Sequence, residues 1–334
     1  MINHTRLLRS TAVGAAAAFA LILLSATPAL AANGAQPQGK GHQPPSSGGS
    51  STPTGNDISY PQCGGKFPSG QAFGIVGVNG GLANKPNPCL GLYGSGGAKG
   101  SELYWAQTTS SGSSSQPKAS LYVNTGDPGN MYNGTPVSDW PQTSISSDPY
   151  PPCTTTTVTD SSGTPTTVGA NSPGCAWQYG YNKAQQDATW LVAAATALDS
   201  LTTTSCSATS TPVPCSASAY PWWLDIETAN SWQSGGTGQT MNLADIQGMV
   251  YSLTQVALAT HVGIYSTPSQ WTTIVGTGTQ ALGATIFGLP DWIPGASKLS
   301  GAVSNCTSLS SFTGGAVAIT QWFGHPFDGD YACA

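Results

Sequence analysis

The feature that most constrains the fold is an alternation of short apolar runs with two long amphipathic segments. Gly-, Pro- and Ser-rich stretches separate the runs. We predict strands at 73–81, 119–126, 176–182, 220–227 and 262–267, with further short runs at 290–296 and 317–322. Residues 183–201 and 242–260 have apolar side chains at helical spacing, and Asn242 is a candidate N-cap. Strands that alternate with helices form parallel βαβ units, so this pattern favours an α/β barrel.

The N-terminal residues 1–31 have the pattern of a secretory signal peptide. Arg6 and Arg9 precede an apolar run, and Ala29-Leu30-Ala31 ends in a cleavage site of the A-x-A type. The apolar run is shorter than the ~20 residues that a membrane-spanning helix needs, which disfavours an uncleaved anchor. We therefore expect a secreted protein, extracellular or cell-wall associated, with no membrane contact after signal cleavage.

Residues 32–57 are rich in Gly, Pro, Ser and Gln and contain almost no large apolar side chain. Such a segment buries too little surface to offset its chain entropy, so it predicts a disordered leader. The remaining residues, 58–334, fit the length of one barrel domain. The sequence thus divides into a signal peptide at 1–31, a leader at 32–57 and a barrel domain at 58–334.

Charge is scarce and acidic in this chain. Removing Arg6 and Arg9 from the 9 basic residues leaves seven Lys against 14 acidic residues, a net charge of about −7. Nucleic acids and anionic membrane surfaces attract basic proteins, so we expect neither as a partner. No sequence pattern indicates a cofactor, and we expect none, with the protein acting as a monomer.

All 8 cysteines follow the signal peptide. An even count in an exported chain indicates disulfides, and the absence of any C-x-x-C gives no support to a metal site. Sequence alone leaves the connectivity open, but pairing neighbours along the chain closes short excursions between the predicted elements. The predicted bridges are Cys63–Cys89, Cys153–Cys175, Cys206–Cys215 and Cys306–Cys333.

An acidic pair lies in the aromatic run YPWWLDIE at 220–227. Side chains alternate along a strand, so Asp225 and Glu227 share one face while Leu224 and Ile226 pack on the other. Two carboxyl groups in one cavity suit glycoside hydrolysis, because one donates a proton while the other carries negative charge. The alternative is a solvated strand end or half of a salt bridge, although only Lys183 lies near a predicted strand end.

In an α/β barrel the active site lies at the C-terminal ends of the strands. Each predicted strand end carries polar or aromatic side chains, which suit a cleft that binds sugar. We expect substrate contacts from these residues: Asn79, Asn124, Tyr181, Tyr265, Trp292, Gln321 and Trp322.

The segment WWLDIE, followed by VGIYST, DWIPGA, ITQW and FDGD, resembles the family-25 glycoside hydrolases, the N,O-diacetylmuramidase type of lysozyme. The order and spacing match over about residues 73–331. The resemblance implies a (β/α)8-like TIM barrel of the (β/α)5β3 type, in which a D-x-E on the fourth strand carries the chemistry. It also implies that Glu227 is the general acid and that Asp225 assists at the anomeric carbon. Asp328 or Asp330 matches a late aspartate of the family that contacts substrate.

The family's first strand reads G-I-D-V-S, whereas the first strand predicted here reads GVNGG and has Asn79 at the aspartate position. An amide can bind a sugar hydroxyl but supplies no charge. Two hypotheses follow. The protein is a lysozyme-like glycoside hydrolase acting on a cell-wall or other extracellular glycan, or it is a non-catalytic glycan-binding or wall-associated protein that has kept the barrel. Substituting Asp for Asn79 would raise hydrolysis only if the cleft is that of a glycosidase.

Overall fold

A computed structural model describes residues 53–80, 84–128, 140–159, 162–201, 213–277 and 283–333, together with 207 and 209. The predicted signal peptide, 1–31, and most of the predicted leader, 32–52, lie outside the described residues.

Eight strands form a closed barrel, which confirms the predicted α/β barrel at the level of its architecture. Seven strands run parallel, and the last is antiparallel to both of its neighbours. The barrel strands in chain order are β1 Thr54–Ile58, β2 Phe73–Gly77, β3 Ala119–Asn124, β6 Pro221–Asp225, β7 His261–Tyr265, β8 Asp291–Ala296, β9 Val317–Trp322 and β10 Gly329–Ala332. A separate antiparallel hairpin consists of β4 Thr155–Thr159 and β5 Pro165–Gly169.

Helices connect most of the consecutive parallel strands. Those in the described residues are α1 Glu102–Thr109, α2 Pro173–Asp199, α3 Gly235–Tyr251, α4 Pro268–Val275, α5 Gly283–Ile286 and α6 Leu299–Ser308. A π-helical turn, Ser252–Val256, continues α3, and 3₁₀ turns lie at Tyr60–Gln62, Gly94–Gly96, Ala98–Gly100 and Ala217–Ala219. Among the described residues, none of these helices combines the length and the apolar character needed to cross a membrane.

The first barrel strand, β1, lies inside the segment that the sequence analysis assigned to the leader. It pairs with β2 on one side and with β10 on the other, so it closes the barrel. Its sequence, Thr54-Gly-Asn-Asp-Ile58, contains one apolar side chain, and backbone pairing on both edges holds it in place. The barrel therefore begins before the predicted boundary at Ile58.

Helix α2 contains the segment 176–182, which the sequence analysis predicted as a strand. Pro173 occupies the first turn, and the Ser172 side chain accepts a hydrogen bond from the backbone N–H of Cys175, so the helix begins before the aromatic residues. Trp177 and Tyr181 then stack one turn apart, with ring centroids 5.5 Å apart. The predicted strand is wrong, and the residues instead form the start of a long helix.

Helix α3 begins at Gly235, seven residues before the predicted N-cap Asn242. Asn242 is fully buried within the helix, and its side chain donates to the carbonyl oxygens of Gln233 and Ile274 at 2.9 and 2.8 Å. The apolar periodicity begins late because the first turn is rich in Gly and Thr.

The core has two layers that follow from side-chain alternation along the strands. Phe73, Ile75, Trp223, Trp292 and Ile319 pack against one another inside the barrel. The opposite faces of the same strands pack against the surrounding helices, and this larger cluster includes Val76, Leu121, Leu224, Leu191 and Ile246. The interior is crowded, since a Cβ atom added at Gly263 would lie 2.3 Å from the ring of Trp223.

Three of the four predicted disulfides are confirmed: Cys63–Cys89, Cys153–Cys175 and Cys306–Cys333. The described cysteines include no free thiol. Cys215 is also disulfide-bonded, whereas Cys206, its predicted partner, lies outside the described residues. The fourth pairing stays a prediction.

Candidate active site

A pocket of about 220 Å³ opens at the C-terminal ends of the barrel strands. Its lining combines carboxyl groups, amides and aromatic rings, and none of its residues is cationic. The lining residues are Asp57, Ser59, Tyr60, Tyr122, Asn124, Asp225, Glu227, Tyr265, Trp292, Gln321 and Asp328. The structure therefore brings together Asn124, Asp225, Glu227, Tyr265, Trp292, Gln321 and Asp328 of the predicted site.

The end of β6 presents the acidic pair to this pocket. Asp225 is the last residue of the strand, and its carbonyl accepts a hydrogen bond of 2.5 Å from the Thr125 hydroxyl. Ile226 extends the pairing, because its N–H donates to the Tyr265 carbonyl at 2.8 Å and its carbonyl accepts from the Ser266 hydroxyl at 2.7 Å. The backbone thus stays extended through Ile226, which places Asp225 and Glu227 on the same side as predicted.

Asp225 and Glu227 differ in their exposure. Asp225 is 6% exposed, and its Oδ1 atom has no hydrogen-bond partner within the protein, whereas Glu227 is only partly buried. Burial raises the pKa of Asp225 well above the usual carboxyl value, and the neighbouring Glu227 and Asp57 raise it further. The pair therefore retains a proton at a pH at which an exposed pair would be fully ionised.

Asp57 of β1 supplies a third carboxyl group to the pocket. The side-chain amide of Gln321 makes two hydrogen bonds: its Nε2 donates to Asp57 Oδ2 at 2.8 Å, and its Oε1 accepts from the Tyr265 hydroxyl at 3.0 Å. Burial raises the pKa of Asp57 to about 6, although the Gln321 hydrogen bond opposes this shift. Hydrogen bonds thus join Tyr265, Gln321 and Asp57 and fix these three side chains along one wall of the pocket.

Asp330 lies behind Asp57 and does not line the pocket. It is fully buried, accepts a hydrogen bond of 2.9 Å from Trp292 Nε1, and bonds to Asp57. Burial, followed by the charge of Asp57, raises the pKa of Asp330 well above its usual value. Of these two carboxyl groups, Asp330 is therefore the harder to ionise.

Asp328 lines the pocket just before β10, and the backbone around it is fixed at two points. Its carbonyl accepts from Asn56 Nδ2 at 2.8 Å, and its Oδ1 atom accepts from the Gly324 N–H at 3.0 Å. Of the two late aspartates predicted to contact substrate, Asp328 reaches the pocket and Asp330 supports it from behind.

Aromatic side chains form the apolar part of the pocket. Trp292 contacts Tyr265 and Tyr122 edge to face, with centroid distances of 4.5 and 6.2 Å. Burial raises the pKa of both phenols, and the nearby carboxyl groups add to the effect, so both tyrosines remain neutral hydrogen-bond donors. Such a mixture of rings and polar groups suits the flat faces and hydroxyls of a sugar.

Three predicted substrate-binding residues lie away from the pocket. Asn79 is fully buried and bonds to the backbone of Asn124, donating to its carbonyl and accepting from its N–H, both at 2.8 Å. Tyr181 lies in α2 and packs against Trp177 and Tyr251. The ring of Trp322 covers Gly329, where an added Cβ would lie 2.0 Å from it. All three support the fold around the site.

Four pocket residues were missed by the sequence analysis: Asp57, Ser59, Tyr60 and Tyr122. A signal for the first two existed, because Gly55-Asn-Asp-Ile-Ser59 has the spacing of the G-I-D-V-S strand. Asp57, not Asn79, is thus the first-strand carboxylate of the barrel. Tyr122 precedes Asn124 by two residues in β3 and so shares its face.

Among the described residues, one group has the spacing of a metal site: Cys63, Cys89 and Glu102. The two cysteines are joined in a disulfide, so neither has a thiolate to offer a metal. The pocket carboxyl groups do not form such a group.

We compared the chain with protein families, with curated proteins and with solved structures. None of them matches it.

Proposed function

We propose that the protein is a glycoside hydrolase in which Glu227 is the general acid and Asp225 is its charged partner. The observation that carries this proposal is the pocket itself, where Asp225, Glu227 and Asp57 face one cavity walled by aromatic rings. Glycosidic bonds are cleaved by paired carboxyl groups in such a setting, one protonated and one ionised.

The burial of Asp225 provides a reason for the pair to hold one proton. In the free protein that proton favours Asp225, because ionising the buried group costs more. The reactive form has the proton on Glu227 and the negative charge on Asp225, and the ionised Asp225 stabilises the positive charge that develops on the sugar beside it. Glu227 protonates the glycosidic oxygen as the bond to the anomeric carbon breaks, and attack by water returns a proton to Glu227.

The first strand of the barrel carries Asp57 where the family-25 hydrolases have an aspartate. The resemblance to that family therefore supports the proposal more strongly than it did with Asn79 at that position. The hypothesis of a non-catalytic protein depended on Asn79 at that position. The antiparallel last strand, β10, suits the (β/α)5β3 type that the resemblance implies.

We further propose that the protein is secreted and that its substrate is an extracellular or cell-wall glycan. Disulfides persist in oxidising compartments, and three join pairs of cysteines among the described residues. The acidic pocket and the scarcity of basic residues suit a carbohydrate ligand better than a polyanion.

The test compares Glu227→Gln with Glu102→Gln on peptidoglycan, chitin-like, plant and fungal glycans, with products sized by mass spectrometry. These are the two glutamates of the chain, and Glu102 is buried outside the pocket. Glu227→Gln should lower turnover at least ~10²-fold, since it removes a positioned proton donor. Asp225→Asn should also be severe, whereas Glu102→Gln should leave turnover unchanged.

Hydrolysis that persists at the wild-type rate in both pocket variants would exclude the proposed mechanism. Wild-type protein that binds a glycan but cleaves none would instead establish the non-catalytic alternative.

A further inference from the structure

We propose that the sugar unit bound in this pocket carries a free, protonated amine, so that the substrate class is a glycan with de-N-acetylated hexosamine units. This inference deepens the proposed function and rests on the same pocket. It names the substrate by charge, which neither the motifs nor the resemblance supplies.

The first support is the charge of the pocket wall. Four carboxyl groups line it, from Asp57, Asp225, Glu227 and Asp328, and no Lys, Arg or His is among the lining residues. A fifth, Asp330, lies directly behind Asp57. A neutral sugar would leave this excess of acid uncompensated, whereas an ammonium group would offset part of it.

The second support is an unsatisfied atom. Asp225 is 6% exposed and lines the pocket, and its Oδ1 has no hydrogen-bond partner within the protein. A buried carboxyl oxygen without a partner is costly, and a charged donor satisfies it better than a neutral one because it also stabilises the ionised form. An ammonium donates three hydrogen bonds with a full charge, whereas an N-acetyl group donates one and carries none.

The same wall opposes anionic sugars. A uronate, a sulfated sugar or a sugar with an unamidated lactyl carboxylate would bring a like charge next to Asp225 and Glu227, with no cationic side chain in the lining to offset it. The pocket therefore discriminates among glycans by charge in the order amine, neutral, acid.

A bound amine would also support the chemistry of the pair. A positive charge beside Asp225 stabilises its ionised form and leaves the remaining proton to Glu227, which is the arrangement that the proposed general acid requires. Substrate charge would thus set the protonation state of the site.

The pH dependence of binding follows from the groups that face the pocket. These are Asp57, Tyr60, Tyr122, Asp225, Glu227, Tyr265 and Asp328, with Asp330 behind them. Burial raises the pKa of the Tyr122 and Tyr265 phenols, which therefore stay neutral, so the carboxyl groups control the charge. Binding of an amino sugar should tighten as the pH rises through about 6, where Asp57 ionises, and weaken above about 8, where a sugar amine loses its proton.

The experiment measures binding by calorimetry with three tetrasaccharides or close analogues: glucosamine, N-acetylglucosamine and galacturonate oligomers. Binding is compared in three proteins that all carry Glu227→Gln to prevent turnover: this variant alone, the variant with Asp225→Asn added and, as a matched control, the variant with Glu102→Gln added, which removes a buried carboxyl group outside the pocket. The glucosamine oligomer should bind at least about tenfold more tightly than its N-acetylated form, and the galacturonate oligomer most weakly. Asp225→Asn should abolish that ratio, and Glu102→Gln should preserve it.

Equal or tighter binding of the N-acetylated oligomer, no binding of either, or an unchanged ratio in a folded Asp225→Asn variant would overturn the proposal. Folding is checked by near-ultraviolet circular dichroism. Because binding is measured without turnover, the two proposals fail separately. Amine selectivity without hydrolysis of any glycan would contradict only the proposal of a hydrolase. Glu227-dependent hydrolysis without amine selectivity would contradict only the proposal of an amine-bearing substrate.

Discussion

At the scale of single residues, the two glutamates have the same side chain but lie in different environments. Glu227 is partly exposed in the pocket, whereas Glu102 is fully buried at the start of α1. Glu102 accepts a hydrogen bond of 2.6 Å from Asn87, and its other oxygen has no hydrogen-bond partner. Burial raises the pKa of Glu102 to about 7, so the ionised form of Glu102 destabilises the folded protein at high pH.

This gives a prediction for the pH dependence of stability. Because the folded-state pKa of Glu102 is raised from 4.5 to about 7, folded and unfolded chains are equally protonated below pH 4.5. As the pH rises from 4.5 to about 7, Glu102 ionises in the unfolded chain before it ionises in the folded one. The free energy of unfolding of the wild type therefore falls by roughly 3 kcal/mol because of this group. Glu102→Gln should remove that slope. Urea unfolding at pH 5 and pH 8 measures it, and an equal slope in the two proteins would contradict the assignment.

A second residue-scale prediction concerns Asn79. Its side chain donates to the Asn124 carbonyl, and it lies near buried Asp187, so an aspartate there would lose the donor and add a like charge. Asn79→Asp should therefore destabilise the protein by about 1–3 kcal/mol and give no gain in hydrolysis. Thermal unfolding with glycan assays checks both parts. A stable variant with faster hydrolysis would instead support the hypothesis that residue 79 occupies the position of the first-strand aspartate.

At the scale of secondary-structure elements, the sequence predicts those whose apolar pattern is unambiguous. Strands β6 and β7 consist of apolar or aromatic runs bounded by turns, and both were located to within a residue or two. Strand β1 was missed because its five residues include one large apolar side chain and adjoin a low-complexity segment. Its stability comes from partners far along the chain, which a local pattern does not contain.

The error in α2 has a different cause. Trp177, Tyr179 and Tyr181 alternate with smaller or polar residues, which is the period of a strand. In the helix these rings face separate neighbours: Trp177 and Tyr181 pack with Tyr251, and Tyr179 packs with Trp140. The Ser172-Pro173 start signal was the better guide. The acidic pair was still placed on the fourth strand, because the false third strand compensated for the missed first one.

A prediction at this scale concerns the Cys306–Cys333 bridge, which joins α6 to the residue after β10. Replacing both cysteines by serine should lower stability by about 3 kcal/mol, since the bridge closes a loop of 27 residues. It should also weaken glycan binding, because β10 carries Asp330 behind the pocket. The Cys153–Cys175 pair is the matched control, with a separation of 22 residues and a place in the cluster that contains Trp140 and Trp177. Equal binding losses in the two double variants would contradict this assignment.

At the scale of the whole molecule, the barrel depends on the pairing of its first and last strands. Asn56 of β1 pairs with Gly329 of β10, and Asn56 Nδ2 donates to the carbonyl of Asp328, 272 residues away. We call the pairing of β1 with β10 the seam of the barrel. Closure of the seam also assembles the site, because it brings Asp57 to Gln321 and Asp330.

Truncation tests the position of the seam. A chain that begins at Ile58, the boundary predicted from composition, keeps only the last residue of β1, lacks Asp57 and leaves the edges of β2 and β10 largely unpaired. It should be insoluble or unfolded, whereas a chain that begins at Ser50 should fold and bind as the longer protein does. Circular dichroism melting curves decide between them. A folded, glycan-binding chain that begins at Ile58 would show that β1 is dispensable.

The seam also sets the order of events during biosynthesis. A ribosome releases a chain from its N-terminus, so β1 is made before β10 and must wait for this partner, because Asn56 of β1 bonds to a residue 272 positions later. Until then Asp57 has neither Gln321 nor Asp330 beside it, and the acidic pocket has no complete wall. The candidate active site is therefore complete only after β10 has been made and has closed the barrel.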